Sequence, residues 1–141
     1  MKLALQGQQA HGVQAMDWLR RNVFLFDGLG AVASTLATLS ITLAFQPRFG
    51  MPTRTLWGLA ALAVCFVTYS LTCWMRRAPL RPWLPIVMSA NLAYCVVVAA
   101  ALVLHTAEMT AFGTAYFAVE MVVIVGVVIL ERAVLRAASQ P

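Results

Sequence analysis

The sequence predicts an all-α integral membrane protein, a four-helix up-down-up-down bundle, and three observations predict it. Of 141 residues, 62% are apolar and only 11% charged; the apolar residues gather in four long runs; and the connectors between runs are short. Soluble domains average roughly 45–50% apolar and about 25% charged. A chain this short would have to expose much of that excess to water, so the better solvent is lipid.

The runs are 23–45, 55–75, 83–104 and 110–130. At about 1.5 Å per residue, each reaches roughly 31–35 Å, enough for a hydrocarbon core about 30 Å thick. The first contains one charged residue, Asp27, and the last contains one, Glu120; the middle two contain none. Residues 1–22 read as a cytoplasmic or interfacial segment, with a short interfacial helix expected over 13–21, and 132–141 as a short cytoplasmic tail. The first run lacks the short apolar core and small-residue cleavage pattern of a signal peptide, so it is expected to remain as an anchor.

Connectors 46–54, 76–82 and 105–109 leave no room for an extramembrane domain and make neighbouring helices antiparallel. Pro47, Pro52, Pro79 and Pro82 fall in the first two, where a helix must stop. Pro85 falls in the first turn of the third helix, where its missing N–H is tolerated.

Basic residues orient the bundle. Lys2, Arg20, Arg21, Arg76, Arg77, Arg81, Arg132 and Arg136 flank one side, and Arg48 and Arg54 the other. Lysine and arginine concentrate on the cytoplasmic side, so both termini and the 76–82 connector are expected there, in a bacterial inner (plasma) membrane. Trp18, Trp57, Trp74 and Trp83 lie near helix ends, where indole favours the headgroup boundary.

Several function classes fall away. The net charge of +5 follows from this flanking pattern, and no basic stretch interleaves with aromatics, so nucleic acid is not an expected partner. Cys65, Cys73 and Cys95 lie inside apolar runs without Cys-x-x-Cys spacing and read as packing residues, neither disulfides nor zinc ligands. His11 and His105 fall on opposite sides of the membrane and cannot jointly hold a haem. No phosphate loop, nucleophile elbow or metal-ligand spacing is present, so no cofactor, metal or enzymatic activity is expected.

Two acids remain. Glu120 lies about ten residues from each end of its run, near the bilayer midplane, where an ionisable side chain costs roughly 2.5–3.5 kcal/mol and marks function. Its helix face reads Gly113, Tyr116, Phe117, Glu120, Ile124, Val127 and Glu131. Either a neutral Glu120 bonds a neighbouring helix as packing glue, or it binds and releases a proton or cation. Asp27, about one turn from its helix end, is either an interfacial anchor beside Arg20, Arg21 or Arg81, or part of the same site.

Asn91, Tyr94 and Cys95 share one face of the third helix, and Tyr94 matches Glu120 in depth. With Tyr69 and Asp27, residues Asn91, Tyr94 and Glu120 form an expected polar cluster in the cytoplasmic half. Ser34, Thr38 and Thr42 make a small-residue stripe on the first helix, for close packing or a water-lined path. The proportions invite comparison with small multidrug transporters, but those carry their carboxylate in the first helix, and no family pattern is matched.

The sequence therefore points first to a non-enzymatic scaffold or accessory subunit of a membrane assembly. The alternative is a small transporter or channel for a cation, a proton-coupled solute or a hydrophobic solute, using the Glu120 cluster. The expected partners are the lipid bilayer and either a second copy of the chain or another membrane protein.

Overall fold

A computed structural model describes the backbone of residues 2–138. It is all-helical among those residues, and four of its helices are long and apolar enough to cross a membrane. The elements are α1 (Lys2–Ser40), a π-helical turn (Ile41–Phe45), α2 (Gln46–Phe49), α3 (Thr53–Met75), α4 (Leu80–Leu104) and α5 (Ala111–Ala137).

Residues 13–21 do not form a helix of their own. They belong to α1, which runs unbroken because no proline precedes Pro47. The side chain of His11 lies outside the described residues. Near its end α1 widens into the π turn, where the Thr42 hydroxyl donates to Thr38 O at 2.8 Å and that of Ser40 to Leu36 O at 2.8 Å. Pro47 follows, and without an N–H it cannot continue the regular ladder, so one extra residue is accommodated ahead of it. Gly50 then caps α2 at φ 82°, a left-handed conformation that glycine adopts without a Cβ penalty.

At α4 the chain is non-helical at Arg81 (φ −102°, ψ 131°), which leaves Pro85 in the first turn of the regular helix. At the start of α5 the Thr110 hydroxyl accepts from Gly113 N–H at 3.0 Å, an N-cap that satisfies an orphan donor. The last helix continues well past Leu130, through Glu131 to Ala137.

Two buried apolar clusters occupy the two ends of the bundle. One packs Phe49, Met51, Leu56 and Leu59 with Val98, Ala101 and Phe117. The other packs Val23, Phe24, Cys73, Leu84, Val87 and Val134, and brings Leu19, Ala78, Leu80 and Leu135 together at the arginine-rich end. These pairings are compatible with the up-down-up-down order. Outward positions are large and apolar, among them Leu36, Val96, Val122 and Ile129, while Thr35, Thr38, Ser70 and Asn91 are buried. In lipid the apolar exterior is no driving force, so close packing and interhelical hydrogen bonds hold the bundle. Helix α1 packs most closely on α3, with Gly28 against the Leu71 side chain, and α4 packs on α5. The α1–α5 seam is looser.

Candidate functional site

A cavity of about 320 Å³ lies between the two packed pairs, in the middle of the bundle. Its lining comes from all four long helices. Gly30, Ala33, Ser34 and Ala37 contribute from α1, Ala63 and Phe66 from α3, Asn91 and Tyr94 from α4, and Tyr116, Glu120, Val123 and Val127 from α5. The exposed members of this lining, Gly30 and Ala33 on α1 and Val119 and Val123 on α5, stand on either side of the loose seam. The cavity therefore opens sideways, toward the hydrocarbon. Glycine and alanine at 30, 31, 33 and 37 keep α1 thin there, and a Cβ on Gly30 would meet nothing within 4 Å.

Glu120 reaches into this cavity. The Ser34 hydroxyl donates to its Oε1, while Oε2 is buried without a hydrogen-bond partner among the described residues. The phenols of Tyr94 and Tyr116 stand beside the carboxyl, and Tyr116 approaches Thr38. The Tyr94 hydroxyl and Thr38 Oγ1 are likewise buried and unpartnered. Tyr94 is held by an edge contact with Phe66, at 6.0 Å between ring centroids. The result is an apolar chamber with a few convergent polar atoms not yet satisfied by protein, the usual character of a small-molecule site.

Asp27 also lines the chamber, on its arginine-rich side. It is 5% exposed and makes no interfacial anchor: Ser70 Oγ donates to its Oδ2, and Asn91 Nδ2 donates to its Oδ1 at 2.7 Å. Arg20 turns elsewhere, pairing with Asp17 at 3.5 Å and donating to the Ala137 carbonyl. An aspartate one turn from the end of an apolar run looks interfacial, but α1 continues so far before that run that Asp27 lies inside the bundle.

Of the five residues expected to cluster, Asp27, Asn91, Tyr94 and Glu120 line the cavity and Tyr69 does not. Tyr69 packs in the apolar cluster at the arginine-rich end, with its ring 6.2 Å from that of Trp83. The stripe divides by role: Ser34 serves Glu120, Thr38 is buried beside Tyr116, and Thr42 bonds its own helix. Cys95 approaches the Met121 carbonyl, Cys65 is exposed and Cys73 is buried, each as a free thiol. His105 meets Thr55 at 3.2 Å and Glu108 at 3.8 Å at the arginine-poor end. No group of three or more metal-binding side chains occurs among the described residues.

Two residues enter that the cluster did not include. Tyr116 was visible on the Glu120 face at i−4. Glu131 is 1% exposed, although it follows directly on the last apolar run and precedes an arginine. The Glu120 face read from the sequence already ends on Glu131, and the spacing 120, 124, 127, 131, 134 carries the buried face past Leu130. No family model, curated protein or solved structure matches the chain.

Proposed function

We propose that this small membrane protein is non-enzymatic and binds a small, mostly apolar cation in the Glu120 chamber, as a carrier that admits its solute from the bilayer through the α1–α5 seam. One observation carries this reading: a carboxyl, Glu120, lines an otherwise largely apolar cavity in the middle of the bundle, with the Ser34 hydroxyl on Oε1 and the Tyr94 phenol beside it. Apolar walls suit an apolar body, the aromatic rings of Tyr94, Tyr116 and Phe66 suit a cation, and the carboxyl supplies the countercharge. The chamber's volume is at the small end of the range for ligand sites, about 300–1,000 Å³.

Tetrabutylammonium is a suitable probe. Calorimetry on the purified protein in detergent should show binding, and Glu120→Gln should weaken it by roughly 10–100-fold, the loss of a charge-assisted contact of about 1.5–3 kcal/mol. The substitution keeps size and hydrogen bonding, so thermal stability should hold. If Glu120→Gln lowers only the thermal midpoint and neither protein binds, the carboxyl is packing glue and the scaffold reading takes its place. Filling the seam with Gly30→Leu should slow entry without touching Glu120.

The orientation proposed with this function places both termini in the cytoplasm of a bacterial cell, as the arginine distribution favours. Reporter fusions after Arg77 and at the carboxyl terminus should read as cytoplasmic, and fusions after Gln46 or Thr106 as external. A cytoplasmic signal at Gln46 contradicts it.

A further inference from the structure

Glu131 is fully enclosed, and neither of its carboxyl oxygens meets a hydrogen-bond partner among the described residues. It belongs to α5 and is absent from the chamber lining. One turn from it on α5, Val134 packs in one cluster with Val23 and Phe24 of α1 and Leu84 and Val87 of α4, and Asp27 lies one turn from Val23 and Phe24 on α1, so the two acids share a level on packed helices, with Asn91 of α4 beside both. From α3, the titratable groups packed at this level are Tyr69 and Cys73; Ser70, also from α3, is occupied with Asp27. The nearest cations by sequence, Arg132 on α5 and Arg76 after α3, are exposed.

The two acids are provided for differently. Each Asp27 oxygen already accepts from a donor, Ser70 on one and Asn91 on the other, which is how proteins hold a carboxylate. Glu131 has only the Asn91 amide beside it, and that amide already donates to Asp27. Two ionised carboxylates side by side in an apolar enclosure repel each other and lose hydration together, and one shared proton removes both penalties. A metal ion would need several ligands, and no group of three or more metal-binding side chains occurs among the described residues.

We propose that Asp27 and Glu131 form a proton-binding pair that shares a single proton, with Glu131 O–H as donor and Asp27 as acceptor. Asp27 and Asn91 line the Glu120 chamber as well, so the pair gives that chamber a proton-exchanging wall on its arginine-rich side. The pair needs no solute in the chamber.

Infrared spectroscopy tests it in the Glu120→Gln background without added solute, so that neither the chamber carboxyl nor any binding event contributes. Of the chain's five acidic residues, the glutamates left there are Glu108, which is exposed, and Glu131. A protonated-carboxyl C=O band should be present at neutral pH and shift on transfer to D2O. It should move when the protein is grown on carbonyl-13C glutamate and stay in place on labelled aspartate. Glu131→Gln should remove it, and Asp27→Asn should change its frequency, because the acceptor of the O–H changes. Isotope labelling keeps the test valid if Glu131→Gln fails to fold. Absence of the band, or a band insensitive to labelled glutamate, overturns the proton site. A glutamate band unmoved by Asp27→Asn overturns the pair.

Discussion

Gly113→Ala should unfold the protein at markedly lower temperature, with a loss on the order of 3 kcal/mol or more. A Cβ at Gly113 would lie 2.2 Å from the Phe49 carbonyl oxygen, a backbone atom that cannot swing aside. That oxygen accepts from Thr110 N–H at 3.2 Å, and the Thr110 hydroxyl donates to Arg48 O at 2.6 Å. The whole approach of α2 to the start of α5 must therefore open. Gly50 faces the same contact from the other side, combining φ 82° with a Cβ position 1.9 Å from Glu108 O, so Gly50→Ala should act in the same direction. Gly30→Ala is the control. It meets nothing within 4 Å and removes a helix-interior glycine, so stability should hold or rise by up to about 1 kcal/mol.

The effect should also reach the chamber. Phe49 stacks edge-on with Phe112 and with Tyr116, at 5.1 and 5.4 Å between centroids, and Tyr116 is part of the chamber lining. Tetrabutylammonium affinity should thus fall in Gly113→Ala even at temperatures where the protein stays folded. An unchanged thermal midpoint in detergent would show that α2 yields freely and is no part of the fold's rigid frame.

Why some of this was legible in the sequence and some was not follows from what hydropathy measures. Four spans could be read because transfer into lipid acts residue by residue along a helix, and the helix cores around 55–75 and 83–104 needed no tertiary information. Ends are another matter. Once a helix has left the apolar slab, hydropathy is blind to whether it continues, so the sequence reads a separate short helix over 13–21 where α1 is continuous, and α5 beyond Leu130 goes unread. That blindness bears on Asp27, which looks interfacial when depth is counted from the end of its apolar run, yet lies inside the bundle bonded to Ser70 and Asn91. Helical spacing did better, since 91 and 94 on α4 share a face and both reach the chamber. Tyr69 had the right depth and the wrong azimuth, which only packing of α1 on α3 decides. The π turn shifts the helical register by one residue, and no period-based reading carries through it.

Asp27→Ala provides the sharper separation of structure from proton chemistry, and it should lower stability by about 2–4 kcal/mol. Interhelical hydrogen bonds in membranes contribute about 0.6–2 kcal/mol each, and Asp27 makes two. Their loss takes the carboxylate acceptor from the Ser70 hydroxyl, which is fully buried, and from the Asn91 amide. Because Ser70 lies on α3 and Asn91 on α4, the variant unties α1 from both partners at once, and α1 is also one wall of the chamber. Asp27→Asn keeps the shape and one acceptor oxygen, so thermal unfolding should show a loss of about half that size or less, while the Glu131 O–H keeps its proton and loses its charged acceptor. If the two variants unfold alike, the carboxylate of Asp27 contributes through its charge and not through the hydrogen bonds to Ser70 and Asn91. If Asp27→Ala unfolds like the parent, α1 is held to the bundle by packing of Gly28 and its neighbours on α3 alone, and the polar ties across the core are incidental to the fold.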